Sequence, residues 1–210
     1  MTILTGYDDC MVATGAKTEA GGMRDIARRA VRAEITAKAM ELFLAQGFEE
    51  TTVNQIATAV GMSGRSLFRY FDSKEDMVIG ELIALGGEVA AALEQRPAHE
   101  DPWTALRHAV QVCVESLEDQ QAGLRRATML ADTPSLRTAM LDKQLRWQQM
   151  LIPHVKERLD TAAELGDLKA AALVSSALSC LDVAATAWTR MQGNQPLRDL
   201  VDVAFAAVRS

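Results

Sequence analysis

Residues 51–74 carry two short helical patterns joined by a glycine turn. In the first, the apolar positions follow the i, i+3, i+4, i+7 spacing of one helix face: Val53, Ile56, Ala57 and Val60. Thr52 with Gln55 three residues later is a capping box, which predicts where this helix begins. Gly61 predicts its end, because glycine adopts the left-handed conformation of a helix C-terminus at little cost.

Ser63 is a good N-cap and predicts a second helix directly after the turn. The predicted buried face consists of Leu67, Phe68 and Phe71. The predicted exposed face carries arginines, hydroxyls and a tyrosine but no acid: Gly64, Arg65, Ser66, Arg69 and Tyr70. This layout suits a helix that enters the major groove of DNA. The alternative is an ordinary helical hairpin with a solvated, charged face.

The rest of the chain predicts an all-α protein, with about nine helices in total. Three form a helix-turn-helix domain over residues 24–74, after a mobile arm over 1–23. Six form a bundle over residues 75–210, at about 74–95, 102–118, 122–131, 134–159, 169–191 and 196–208. Pro153 is expected to kink or divide the fourth of these six near Met150.

The charge distribution separates the two parts of the chain. The net charge is −6, which by itself argues against a nucleic-acid partner. Residues 24–74, however, hold eight Lys and Arg against six Asp and Glu, whereas residues 75–210 carry the net −6. A basic domain on an acidic body is expected to approach DNA with the basic end first. Four arginines precede the helix-turn-helix and either contact phosphates or form a solvated face: Arg24, Arg28, Arg29 and Arg32.

Cysteine usage and motifs predict no metal site, no cofactor and no enzyme. Cys10, Cys113 and Cys180 are far apart and odd in number, which favours reduced thiols in the cytoplasm. The chain contains no Glu-x-x-His pair, Gly-rich phosphate loop or nucleophile elbow. The apolar stretch 170–188 approaches membrane-spanning length, but Asp182 interrupts it, so a buried helix and no membrane are predicted. Residues 1–22 lack the order of a signal peptide, and Met23 is a second plausible start.

Residues 31–80 resemble the N-terminal domain of the tetracycline repressor (TetR) family of transcriptional regulators. The matching segments are Ala39–Phe43 with Gly47-Phe48, Thr51-Thr52-Val53 with Ile56-Ala57, Gly61-Met62-Ser63, and Leu67–Phe71 with Ser73-Lys74-Glu75. The pair Gly64-Arg65 departs from the Lys-Gly or similar pair of many members. A glycine there costs up to ~1 kcal/mol of helix propensity but allows a close backbone approach. The departure bears on which DNA sequence is read.

The resemblance implies a homodimer that binds a palindromic operator in double-stranded DNA and blocks transcription until a small-molecule effector binds. Arg65 and Arg69 are expected to read base edges, with guanine as the natural bidentate partner. Gly64 permits the approach, and the phosphate-contacting residues are expected to be Thr52, Ser63, Ser66, Tyr70 and Lys74. The alternative is a helical small-molecule sensor without operator binding.

The resemblance also implies an effector cavity among the central helices. The residues expected to line it are Cys113, Met129, Trp147, Met150, Leu151, Asp182, Thr186 and Trp188. Trp and Met offer adaptable apolar surface for a hydrophobic or amphipathic effector, and the polar residues orient it. Asp182 either faces this cavity or lies on a helix or dimer surface, bonded to an arginine such as Arg190.

The last two helices are predicted to form the dimer. Small side chains on the first allow close approach: Ala171, Ala172, Ser175, Ser176, Ser179 and Ala185. The second offers an apolar stripe: Val201, Ala204, Phe205 and Val208. Two such hairpins would pair across a two-fold axis as a four-helix interface.

Overall fold

A computed structural model describes residues 15–117, 119–159 and 163–209, and these residues form ten α-helices and no strand. The helices are α1 (Gly15–Gln46), α2 (Val53–Ala59), α3 (Gly64–Leu67), α4 (Lys74–Glu94), α5 (Pro102–Ala109), α6 (Gln111–Glu115), α7 (Gln120–Asp132), α8 (Pro134–Glu157), α9 (Ala163–Arg190) and α10 (Leu197–Arg209). The predicted all-α class is confirmed. The predicted nine helices are recovered when α5 and α6, separated at Val110 alone, are counted as one interrupted helix.

Two hydrophobic clusters divide the molecule into a head, α1–α3, and a body, α4–α10. The head cluster includes Ile35, Phe43, Ile56, Leu67 and Phe71, together with Met77 and Val78 from the start of α4. The body cluster includes Val89 and Leu93 from the end of α4, together with Leu106, Trp147, Leu178 and Phe205. Helix α4 therefore has one end in each cluster and joins the two parts mechanically.

Helix α1 begins earlier than the sequence pattern predicts. Residues 15–23, which we expected to belong to a mobile arm, continue α1, while residues 1–14 of that arm lie outside the described residues. Residues 22–30, through which α1 passes from this arm into the head, are exposed. Strong helix formers such as Ala16, Lys17 and Glu19 can extend a helix that is already nucleated, because each added residue gains one hydrogen bond.

Helix α8 runs unbroken through Pro153, so the predicted division near Met150 is wrong. Pro153 is exposed and lies in the penultimate turn of the helix. There the lost backbone hydrogen bond costs less than at a buried position. The apolar contacts of Leu151 and Val155, both buried in the body cluster, hold the last turns in place.

Helix α9 is long and apolar enough over Leu165–Arg190 to cross a membrane by length and composition. In this fold it packs against α8 and α10, and Val174, Leu178 and Trp188 are buried, as expected for a core helix. Its outer face remains exposed, for example at Val183, which is 63% exposed. This face is the part of α9 that the chain itself leaves uncovered.

Helix α10 packs on the body differently from the prediction. Val201 and Phe205, expected on the dimer surface, are buried within the chain. Phe205 lies 4.7 Å from Trp103 between ring centroids, and its carbonyl accepts a hydrogen bond from the Trp103 indole N–H. The apolar stripe of α10 therefore packs into the core of the body, against α9 and the Trp103 ring of α5. Val208 and the neighbouring Val203 stay exposed.

Helices α4 and α8 form a close helix pair in the body. The Trp147 indole N–H on α8 donates to the Leu82 carbonyl on α4, with 2.9 Å between the nitrogen and the oxygen. Gly86, one turn further along α4, makes room for this ring, since a Cβ there would lie 2.5 Å from Trp147 Nε1. A glycine inside α4 is thus explained by the approach of one tryptophan.

We expect Gly86→Ala to lower the free energy of unfolding by about 1–3 kcal/mol, because the new methyl group overpacks against the Trp147 ring. Gly87→Ala is the matched control on the same helix, where a Cβ meets nothing within 4 Å. It should raise stability by about 0.5–1 kcal/mol through helix propensity alone. Urea unfolding followed by circular dichroism measures both, and equal effects of the two substitutions would contradict this account.

Candidate nucleic-acid interface and effector cavity

The first helix of the helix-turn-helix is capped as its sequence predicts. Thr52 Oγ1 accepts from the Gln55 backbone N–H at 3.2 Å, and Gln55 Oε1 accepts from the Thr52 backbone N–H at 2.7 Å. This reciprocal pair closes the capping box at the start of α2. Gly61 has φ +68°, so the turn after α2 uses the left-handed conformation that glycine allows.

Helix α3 is a single turn, and Ser63 caps it by accepting from the Ser66 backbone N–H at 3.1 Å. The Arg69 and Tyr70 N–H groups then bond to carbonyls three residues back, which tightens the following turn. Leu67 and Phe71, four residues apart, face the core. Phe68 is 53% exposed, so its predicted burial is wrong. It lies to one side of the Leu67–Phe71 line, and those two side chains already occupy the contact with the head cluster.

The outer face of this segment presents its two arginines to solvent. Arg65 and Arg69 are exposed, and neither guanidinium makes an ion pair or hydrogen bond with a described residue. Ser66 and Tyr70 beside them are half-buried. The predicted exposed face is therefore assembled, with both arginines free to contact a partner.

Gly64 lies where α2 and α3 come close together. A Cβ at this position would lie 2.9 Å from Asn54 Oδ1, so α2 and α3 meet closely here. Because the exposed Asn54 side chain can rotate away, a larger residue at position 64 would cost little stability. The departure from the family pattern at Gly64-Arg65 thus accompanies a tight α2–α3 contact.

Arg32 of α1 braces the segment that follows α3. Its guanidinium donates to the Tyr70 carbonyl, lies 3.6 Å from the Asp76 carboxylate and covers the Phe71 ring at 4.2 Å. Of the four N-terminal arginines, Arg32 therefore supports the head from within. The other three are exposed on α1, and their contact with phosphates remains a prediction: Arg24, Arg28 and Arg29.

Lys74, expected to contact phosphate, is also bound within the head. Its ammonium donates to the Phe48 carbonyl at 2.8 Å and to the Glu49 carbonyl at 3.4 Å, and it lies 4.5 Å from the Phe48 ring centroid. These contacts tie the start of α4 to the loop after α1. An ammonium group has three N–H donors, so one remains for a phosphate.

A cavity of about 450 Å³ lies in the body, bounded by α4, α6, α7, α8 and α9. Four residues predicted for the effector site line it: Cys113, Trp147, Asp182 and Trp188. Thr186 instead lines an adjoining cavity of about 520 Å³, which shares Asp182 with the first. The volumes of both cavities lie within the range of small-molecule pockets.

Three predicted lining residues lie elsewhere among the described residues. Leu151 is fully buried in the body cluster, and Met150 packs beside Gly86 at the α4–α8 contact. Met129 packs against the head cluster. All three are apolar residues on the expected helices, but helix rotation turns them towards other neighbours. Their apolar side chains at helical spacing are equally compatible with a cavity wall and with the core, so the sequence could not distinguish the two.

Two basic residues of the cavity wall were missed from the sequence. Lys143 has a side chain only 7% exposed, with Nζ 4.0 Å from Asp182 Oδ1 and 4.5 Å from the Trp147 ring centroid. Arg126 lies 3.3 Å from the Glu81 carboxylate and donates to the Val78 carbonyl. Asp182 thus has Lys143 as its charged neighbour, in place of the arginine considered from the sequence. A single lysine in an amphipathic helix gives no sequence signal of burial.

The cavity modifies the acid–base behaviour of two side chains. Burial raises the pKa of the Cys113 thiol to about 12, only partly opposed by Lys143, so this cysteine stays protonated and unreactive. Burial also raises the pKa of the Asp182 carboxyl, while Lys143 acts in the opposite direction. The Asp182 side chain is 41% exposed, and it lines both cavities. Among the described residues, no group of three or more His, Cys, Asp or Glu could hold a metal ion.

A capped helix-turn-helix head on a helical body with an internal cavity defines a two-part, all-α binding protein. Residues 35–79 match the model of bacterial regulatory proteins of the tetR family, and residues 100–210 match the MftR C-terminal domain of that family. The second match alone covers more than half of the chain. The chain therefore belongs to the tetR family, as its resemblance predicted.

Individual proteins support the same assignment. The transcriptional regulator TcmR of Streptomyces glaucescens is 42% identical over 98 residues, which are 47% of this chain and 43% of TcmR, so the match spans less than half of that relative. The transcriptional repressor AcnR of Corynebacterium diphtheriae is 30% identical over 144 residues, 66% of this chain and 68% of AcnR. FadR of Thermus thermophilus, solved with lauroyl-CoA, shares the fold with a TM-score of 0.53 and 22% identity, over 83% of this chain and 91% of FadR.

We expect Arg32→Met to lower the free energy of unfolding by about 1–3 kcal/mol, because the Tyr70 carbonyl and Asp76 lose a charged hydrogen-bonding partner. Hydrogen exchange should also accelerate at the amides of residues 65–71. Arg29→Met, on the exposed face of α1, is the control and should leave both measurements unchanged. Unchanged exchange in the Arg32 variant would show that α3 is held without this brace.

Proposed function

We propose that the chain is a homodimeric transcriptional repressor in the cytoplasm that binds a palindromic operator and leaves it when an apolar or amphipathic effector enters the body. The observation that carries this proposal is the pair of unpaired arginines, Arg65 and Arg69, on the outer face of a firmly braced α3 segment. Membership of the tetR family and the repressor AcnR among its relatives support it.

The roles proposed for individual side chains on DNA follow from which of them lack an intramolecular partner among the described residues. Arg65 and Arg69 have no described intramolecular partner, so their guanidinium groups are available to read base edges. The hydroxyls of Thr52 and Ser63 already cap helices and would meet phosphates from these fixed positions. Tyr70 and the remaining donor of Lys74 would add phosphate contacts, and Gly64 would let the backbone approach.

Dimerisation would use the outer faces of α9 and α10. On α9 the exposed positions Ala172, Ser179 and Val183 follow one another along a helical stripe of small or apolar side chains. On α10, Val203 is 67% exposed. A two-fold pairing of these hairpins would cover the apolar outer face of α9. It would also place two α3 segments for successive major grooves about 34–36 Å apart.

Helix α4 is the proposed connection between effector and DNA. Its first turns belong to the head cluster, and its middle lines the cavity through Leu82, Leu85 and Glu88. Trp147 and Arg126, both in the cavity wall, bond to α4 carbonyls at Leu82 and Val78. A ligand that displaces either side chain would therefore act directly on the helix that carries the head.

Binding to DNA that flanks the protein's own gene tests the proposal, measured at ~50 and ~200 mM salt against a scrambled duplex. Tight binding that favours the flanking DNA at both salt concentrations is expected. Arg69→Ala should cost about 1–3 kcal/mol and relax specificity at one base position. Arg198→Ala on the exposed side of α10 is the control. An equal loss on every sequence would assign Arg69 to a phosphate, and no sequence preference in the native chain would favour a sensor without operator binding.

We expect Val183→Arg to convert the dimer to a monomer, because a charge would be buried at the centre of the proposed two-fold contact. Leu145→Arg is the matched control, since Leu145 is similarly exposed but lies on α8. Sedimentation equilibrium at low micromolar concentration reports the mass of both variants. A Val183 variant that remains dimeric would place the interface elsewhere.

A further inference from the structure

The cavity wall contains a cation whose hydrogen-bonding capacity is unmet. Lys143 has a side chain 7% exposed, yet its ammonium makes no hydrogen bond to a described residue. Its charged neighbour, Asp182 Oδ1, is 4.0 Å away, beyond hydrogen-bond distance. Burying an ammonium group is costly unless its donors find acceptors. The π face of Trp147 at 4.5 Å compensates only part of that cost.

Two other side chains of the cavity wall also carry hydrogen-bond donors that have no acceptor. The Nε–H of Arg126 and the indole N–H of Trp188 are buried and have no acceptor among the described residues. Both are donors, and no buried acceptor of the wall is left unpaired in the same way. A ligand that complements this wall therefore supplies acceptor oxygens in place of donors.

The acids of the wall are better satisfied than Lys143. Glu81 lies 3.3 Å from Arg126 and is paired with it. Glu88 is exposed on α4, and Asp182 keeps 41% of its side chain accessible, so both carboxylates can be solvated. The remainder of the wall is apolar, with Leu85, Leu117 and Leu181 among its residues. An apolar body with one negatively charged end fits this arrangement.

We propose that the ligand of this cavity is an apolar acid and that Lys143 binds the ligand's carboxylate or equivalent oxyanion. This inference rests on the proposed function of the cavity as the effector site. The ammonium of Lys143 would form the charged hydrogen bonds it lacks, and the aliphatic wall would enclose the apolar part. Asp182 opposes such a ligand by its own charge and thereby limits the affinity. Lys143 is then the residue that determines specificity for acids over neutral or basic analogues.

Three probes that differ only in their polar end test this proposal: decanoate, decanol and decylamine. Quenching of Trp147 and Trp188, both in the wall, reports binding. Decanoate should bind about tenfold or more tightly than decanol, as expected for one charged hydrogen-bonding partner. Lys143→Met should remove this preference and Lys143→Arg should retain it. Asp182→Asn should strengthen decanoate binding.

Lys156→Met is the matched control, because Lys156 lies on the same helix and pairs with Asp167 outside the cavity. It should leave the preference for decanoate unchanged. Tighter binding of decylamine, equal binding of decanoate and decanol, or a preference that survives Lys143→Met would overturn the proposal. If the Lys143→Met variant does not fold, the comparison of probes on the native chain still tests the preference for acids, and Lys143→Arg tests whether a cation at this position retains it.

The same titrations with an operator duplex present separate this inference from the proposed function. Decanoate and decanol that bind equally, and both release the duplex, would leave the regulator intact and overturn the role of Lys143. Selective binding of decanoate through Lys143 without release of the duplex would support the inference. It would then contradict regulation through this cavity.

Discussion

The contact between α4 and α8 holds the two functional parts of this molecule in one mechanical unit. Trp147 inserts its indole against Gly86 and donates to the Leu82 carbonyl at 2.9 Å. The same ring forms part of the cavity wall and lies beneath the Lys143 ammonium. Because Trp147 packs against Gly86 and bonds to the Leu82 carbonyl, a shift of its ring would disturb these contacts with α4. One buried side chain thus contacts both the cavity and the helix that carries the head.

The head itself is stabilised by contacts that cross long stretches of sequence. Arg32 reaches from α1 to the Tyr70 carbonyl, and Lys74 reaches back to the Phe48 carbonyl. Arg32 thus supports the segment that follows α3, and Lys74 ties the start of α4 to the loop after α1. With only one helical turn, α3 has little stability of its own. Burial of Leu67 and the Arg32 contacts beyond its C-terminus therefore support its position, while Arg65 and Arg69 remain free cations on its outer surface among the described residues.

The proposed specificity for acids would follow from the incomplete pairing of charged groups in the cavity wall. The cavity keeps its charges in proximity without fully pairing them, with 4.0 Å between Lys143 and Asp182. A pair at this distance in a partly buried site is electrostatically coupled but leaves hydrogen-bond donors open. A ligand oxyanion would accept the hydrogen bonds that Lys143 lacks, although the charge of Asp182 opposes its binding. Binding would then be transmitted to α4 through the Trp147 ring beneath the lysine.

Local chemistry let the sequence alone determine the helix-turn-helix, its capping box, its N-cap serine and the exposed arginines of α3. Each of these depends on residues within one or two helical turns, so their pattern is complete in a short window. The all-α class followed from the same periodicity. The family assignment followed from this segment, whose motif is specific.

Only the tertiary structure decided which side of each body helix faces the cavity. Met129, Met150 and Leu151 lie on the expected helices but face other neighbours, while Lys143 is buried beside Asp182 of α9 and the Trp147 ring. Val201 and Phe205 likewise pack inward, and Phe205 does so against Trp103, which lies about a hundred residues away in the chain. An apolar stripe is the same in sequence whether it meets the core, a ligand or a second subunit. The distinction arises from helix rotation and long-range packing, which no local window contains.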